Sequence, residues 1–178
     1  MLDDFNTAPA AGLRTRLRDC CAAGAWIEAV TAGRPYPDEP ALGKTSDQAT
    51  ASLDDRGLAQ ALAGHPRIGG RLAATEPDRE AGRSPAWSRQ EQSGMNAATG
   101  DIRAAIAVAN AEYERRFGHV YLVCATGRTA GELLAICQSR LANPPAAERE
   151  VVLAELATIN RLRLARLLDS AETEEDAR

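Results

Sequence analysis

At 178 residues the chain is long enough for one sizeable core, and its formal charge of −4 gives no electrostatic ground for a nucleic-acid partner. Apolar residues make up 44% of it, but alanine leads them and aromatics reach only 4%. That balance suits closely packed helices and excludes a chain built on long β-branched strands. No apolar run approaches a membrane span, and the N-terminus carries no signal-peptide pattern. The four cysteines, Cys20, Cys21, Cys124 and Cys137, follow no metal-ligand spacing, and an adjacent pair is a poor disulfide framework. They read as reduced core thiols of a cytoplasmic protein.

In chain order, Thr7 is expected to cap a helix over residues 9–20, with Leu13 and Leu17 on its apolar face. Gly24 interrupts, and residues 25–31 form a short helix carrying Trp26, Ile27 and Val30. Arg34-Pro35-Tyr36-Pro37 is a turn, and residues 38–52 are a polar helix. Asp54 or Asp55 caps the next helix, which Gly64 stops. Pro66 disfavours the helical region for His65, so the imidazole stands just past a helix end. Gly69 and Gly70 are expected to let the chain turn and leave open space beside the ring.

A polar loop follows at 75–83, and Ser84-Pro85 starts a helix that runs past Trp87 toward Gly94. Ile102, Ile106, Ala109, Tyr113 and Phe117 recur at helical spacing over 101–117, and Gly118 ends that helix. Residues 119–124 suit an extended buried segment. Residues 129–141 form a helix with Leu133, Leu134, Ile136 and Cys137 inward. Pro144-Pro145 opens the last helix, over 146–169, and the acidic end at 170–178 is expected to fray. The pattern predicts one all-α domain spanning 1–178, with seven or eight helices.

Three residues stand out for chemistry. His65 is either a proton donor over a gap or a structural histidine bonding the last carbonyls of a helix. Glu91 completes a Ser88-Arg-Gln-Glu91 capping box, or lies inside a helix begun at Ser84 and faces a ligand. Arg163 falls on one stripe with Val152, Leu156, Ile159 and Leu167, while Arg161 lies opposite and Arg166 at the rim. A guanidinium on an apolar face needs an anion, either an internal carboxylate or one on a substrate. His119, His65 and Glu91 match no metal-binding spacing, so no metal is expected. No phosphate-cradling loop or nucleophile elbow is present.

Three motifs in order carry a resemblance: Gly64-His65-Pro66-Arg67-Ile68-Gly69, then Ser88-Arg-Gln-Glu91-Gln92, then Asn110-x-x-Tyr113-x-x-Arg116-Phe117-Gly118-His119-Val-Tyr-Leu-Val-Cys124-Ala125. Together they resemble the OHCU decarboxylases, which act on 2-oxo-4-hydroxy-4-carboxy-5-ureidoimidazoline, the last intermediate between urate and (S)-allantoin. Phe5-Asn6, Cys20-Cys21, Trp26, Arg34-Pro35 and Arg163-Leu164 fit the same likeness. The resemblance implies an all-α homodimer that uses no metal or organic cofactor. It places the catalytic histidine at His65 and the catalytic glutamate at Glu91, with Arg163 as the arginine expected near the substrate. It also implies substrate contacts from Pro66, from Ser88, Arg89, Gln90, Glu91 and Gln92, and from the backbone around His119, Val120, Tyr121, Leu122 and Val123. The ending Glu175-Asp-Ala-Arg178 matches no peroxisomal address, in keeping with a cytoplasmic site.

Two other readings compete. A helical hydrolase or lyase acting on another ureide or imidazoline ring would differ in CO₂ release and product chirality. A non-enzymatic helical interaction module would show no turnover and no shared pocket for His65, Glu91 and Arg163.

Overall fold

The structure is a computed structural model that describes residues 2–70, 87 and 90–175, with side chains as far as Asp169. The expected loop at 75–83, the Ser84-Pro85 helix start, and Ser88 and Arg89 lie outside the described residues. Eight α-helices are described in full: α1 Leu2–Thr7, α2 Ala10–Cys20, α3 Gly24–Ala32, α4 Glu39–Ala51, α5 Asp55–Ala63, α6 Gly100–Phe117, α7 Ala130–Arg140 and α8 Pro145–Glu175. A 3₁₀ turn spans Ser93–Met95, and no strand occurs among the described residues. None of the described helices is long and apolar enough to cross a membrane.

The helix starts follow their side chains. Asp38 accepts from the Ala41 amide at 2.8 Å, with Pro40 in the first turn of α4. Asp54, rather than Asp55, caps α5 by accepting from Gly57 N at 2.7 Å. Thr129 and Glu132 form a reciprocal capping box on α7. The first helix departs from expectation. Thr7 does not cap α2; it ends α1, and its hydroxyl donates to the Asp3 carbonyl at 2.8 Å. Six residues with Phe5 alone buried carry too little periodicity to be read as a helix. Pro9 occupies the α2 cap position without a side-chain bond.

Two apolar clusters fill the interior. One gathers Leu13 and Leu17 of α2, Trp26 and Val30 of α3, Leu42 of α4, Leu58 of α5 and Val152, Leu156 and Ile159 of α8. Trp26 is fully buried, and its indole N–H donates to the Ser46 carbonyl at 3.2 Å, so it is both packed and satisfied. The other cluster gathers Ile106, Ala109 and Tyr113 of α6 with Leu133 and Cys137 of α7.

Residues 120–125 run between these clusters and explain the continuous apolar stretch in the sequence. Val120, Leu122 and Cys124 pack into the first cluster, whereas Tyr121, Val123 and Ala125 pack into the second. That alternation is the two-residue period of an extended chain, with both faces buried. Among the described residues no neighbouring strand supplies its hydrogen bonds. Arg140 Nη1 donates to the Leu122 carbonyl at 2.8 Å, the Cys124 amide donates to Glu155 Oε2 at 2.8 Å, and Arg128 Nε donates to the Cys124 carbonyl at 3.0 Å. Side chains from the two C-terminal helices and their approach thus replace a strand partner.

Candidate active site

The His65 loop is held from three sides. His65 N donates to the Leu62 carbonyl at 2.8 Å and closes the end of α5. Asn110 Nδ2 on α6 donates to the Ile68 carbonyl at 2.9 Å, and the Gly69 amide donates to Gln92 Oε1 at 3.1 Å. Arg67 forms a two-point pair with Glu114 at 2.6 and 2.7 Å. The glycines serve close approach, not open space. Gly69 has φ of +69°, and a Cβ there would meet Met95 Cε at 2.9 Å; a Cβ on Gly70 would lie 3.1 Å from the Arg67 carbonyl oxygen. The expected room beside the imidazole is present, walled by Pro66, Ile68, Glu91 and residues 121–126 rather than by the glycines.

Gln90 and Glu91 are helical, as Trp87 is, and the chain turns at Gln92 into the 3₁₀ turn at Ser93–Met95. That turn abuts the approach to α7 so tightly that a Cβ on Gly94 would fall 1.9 Å from the Arg128 carbonyl oxygen. Among the described residues the Glu91 carboxylate bonds arginines; the Ser88 amide of the expected capping box lies outside them. Arg163 Nε donates to Oε1 at 3.0 Å, Arg163 Nη2 to Oε2 at 2.8 Å, and Arg166 Nη1 to Oε1 at 3.1 Å. Arg163 Nη1 donates to the Cys20 carbonyl at 3.1 Å. Its stripe is confirmed, since Val152, Leu156, Ile159, Arg163 and Leu167 are all buried. The guanidinium's internal carboxylate is Glu91, 72 positions away.

His65 and Glu91 open onto the same cleft, about 400 Å³ with its solvent-facing space included. Its walls are His65, Pro66 and Ile68, then Glu91 and Gln92, residues 121–126, and Ile159 and Leu162 of α8. Of the expected site residues, the structure brings together His65, Pro66, Glu91, Gln92, Tyr121, Leu122 and Val123. Arg163 does not line the cleft but stands behind Glu91. Gln90 is exposed, and His119 and Val120 are also off the cleft wall. The His119 ring packs edge-on against Tyr113 at 5.6 Å and its Nδ1 lies 3.0 Å from the Val120 carbonyl oxygen. A larger groove, about 1110 Å³ with its solvent-facing space likewise included, runs between α4 and α8 past Leu42, Leu164 and Leu168, and holds none of the expected residues.

The sequence reading missed the group that fixes the cleft's back wall. Glu148 is fully buried and accepts from Arg140 Nε at 2.8 Å, from Asn143 Nδ2 at 2.7 Å and from the Tyr113 hydroxyl. Burial and the bond to Glu148 push the Tyr113 phenol up from its ordinary range. Arg140 also stacks over the Tyr113 and Tyr121 rings, at 5.7 and 5.1 Å. In the sequence, Arg140 and Glu148 look like ordinary helix-end charges placed to suit the helix dipoles. Only their meeting with Tyr113, where α6, α7 and the start of α8 converge, shows that they are interior. Within the cleft, burial raises the Cys124 thiol above its ordinary value.

Known proteins share this chain's sequence pattern and fold. The sequence profile of the OHCU decarboxylases matches residues 6–165. The chain belongs to the OHCU decarboxylase family. A 2-oxo-4-hydroxy-4-carboxy-5-ureidoimidazoline decarboxylase of Amia calva is 31% identical over 147 residues, covering 82% of this chain and 81% of that protein. A bifunctional uric acid degradation protein of Arabidopsis thaliana is 28% identical over 149 residues, and the match spans 83% of this chain but 45% of that one. The fold is shared with an OHCU decarboxylase crystallised in the presence of (S)-allantoin, at TM-score 0.71, 21% identity, and coverage of 87% of this chain and 98% of that one. It is shared also with an (S)-allantoin synthase, at TM-score 0.67 and 16% identity, over 95% of this chain and 53% of that one.

Proposed function

We propose that this family member decarboxylates 2-oxo-4-hydroxy-4-carboxy-5-ureidoimidazoline to (S)-allantoin in urate breakdown. The observation that carries the reading is that His65 and Glu91, far apart in sequence, line one small cleft. The electrons of the breaking C–CO₂ bond flow into the neighbouring ring C=N, whose nitrogen takes up a proton. The resulting hydroxy-enamine then gains a proton at the ureido-bearing carbon and loses its hydroxyl proton to give the ketone. The ring itself accepts the electrons, so the scheme uses no metal or organic cofactor.

In this reading His65 delivers the proton to one face of the ring, which sets the handedness of the product. Glu91 engages the 4-hydroxyl and ureido side, and Arg163 acts by holding Glu91. Pro66 and Gln92 shape the pocket beside His65, while contacts from Ser88, Arg89 and Gln90 rest on the family resemblance alone. In an extended chain the backbone groups of successive residues point to opposite edges. Because Leu122 and Cys124 bond to Arg140, Glu155 and Arg128, the Val123 N–H and C=O face the other edge, where they serve the substrate carboxylate and ring. The family resemblance supports a homodimer, and four free buried thiols support a reducing, cytoplasmic setting.

The test is to generate the substrate from urate in situ and follow the circular dichroism of allantoin. The reading expects a single-handed signal that grows in proportion to added protein. Equal traces with and without protein would overturn it.

A further inference from the structure

The three bonds to Glu91 are unevenly shared between its two oxygens. Oε1 accepts twice, from Arg163 Nε at 3.0 Å and Arg166 Nη1 at 3.1 Å, whereas Oε2 accepts once, from Arg163 Nη2 at 2.8 Å. A carboxylate oxygen has two lone-pair sites, so Oε1 is filled and Oε2 retains one. A two-point Arg163–Glu91 pair by itself treats the oxygens alike and leaves the pair free to rock about its long axis. The off-axis bond from Arg166 breaks that symmetry. Arg166 is one turn beyond Leu162, a cleft residue, and its side chain is 22% exposed against 2% for Arg163.

We infer that Arg166 is a positioning residue: by saturating Oε1 it makes Oε2 the oxygen through which Glu91 engages the substrate hydroxyl or N–H. Arg166 touches Glu91, not substrate, so its loss lowers kcat and leaves KM nearly unchanged. This role rests on the decarboxylase reading of the cleft and adds to it the atom that works.

The experiment is a double-mutant cycle with in-situ substrate on wild type, Arg166→Gln, Arg166→Lys, Glu91→Gln and the Glu91→Gln/Arg166→Gln pair. Arg166→Gln is expected to lower kcat about tenfold, as small misplacements of catalytic groups do, with KM within about twofold. Arg166→Lys restores most of the loss, because an ammonium still reaches Oε1 as a point charge. In the Glu91→Gln background the Arg166 substitution costs nothing further, since its partner's role is already gone. A merely structural arginine would instead give multiplying losses in the pair, and that result overturns the inference, as does full activity of Arg166→Gln. Should Arg166→Gln lose its melting transition, Arg166→Met keeps the aliphatic stem and is held to the same expected loss and the same contradiction. Absence of any wild-type turnover would sink both this role and the decarboxylase reading. Wild-type turnover with an unchanged Arg166→Gln kcat would sink this role alone.

Discussion

Arg163 grips Glu91 through two parallel bonds, 3.0 and 2.8 Å long, from the middle of an otherwise apolar helix face. The pair ties the longest described helix to the helical end that carries Glu91. Removing the arginine leaves a mostly buried carboxylate with Arg166 alone. Arg163→Leu is therefore expected to destabilise the fold by about 3 kcal/mol, the low end for a broken buried pair. A urea titration followed by circular dichroism measures this, and a midpoint within error of wild type would contradict it.

Arg140 and Glu148 predict an effect at a distance. Arg140 holds the Leu122 carbonyl while Glu148 holds Arg140, so the back wall of the cleft depends on a polar group that touches no substrate. Arg140→Met strands a fully buried Glu148 carboxylate, with an expected loss of about 3–5 kcal/mol. Amide exchange at residues 121–125 should rise more than exchange in α3, which packs in the other cluster. Uniform acceleration across both would show that Arg140 acts only on global stability.

Buried thiols set an alkaline limit. Burial pushes Cys21 and Cys137 from an ordinary 9.0 up to about 11, and Cys20 moves further in the same direction. Between those values the unfolded chain has lost thiol protons that the folded chain keeps, so the folded state binds more protons and stability falls as pH rises. Tyr113 and Tyr121, also raised by burial, act with the same sign. The urea midpoint should therefore be lower at pH 10.5 than at pH 8. An equal or higher midpoint would contradict the burial of these groups.

His65→Asn keeps the size and polarity of the side chain but removes the titrating ring. A loss of about 10²–10⁴-fold in turnover is expected, the range for positioned proton transfer, with far-UV circular dichroism unchanged. Activity within a few-fold of wild type would remove His65 from the proton-transfer step.

Much of this was legible in the residues because the decisive signals were local. The cap at Asp54, the stripe through Arg163 and the stop at Gly118 all act within a turn or two, and each appears where the pattern places it. The extended segment was legible as a type but not as a wall, because its support comes from Arg140, Glu155 and Arg128, up to 31 positions away. The two readings of Arg163 could not be separated, since its anion lies 72 positions off and no spacing announces it. Gly69 turns the chain as its pattern suggests, but the walls of the room beside His65 come from residues 121–126, far along the chain. Glycine at 69 is favoured by its φ of +69°.

The central claim is that one cleft delivers one proton to one face of the ring. Its most direct test is to run the reaction in D₂O and resolve the allantoin by chiral separation and NMR. Wild-type protein should yield one enantiomer with deuterium at the ureido-bearing carbon, formed faster than without protein. Racemic allantoin at the spontaneous rate would contradict it.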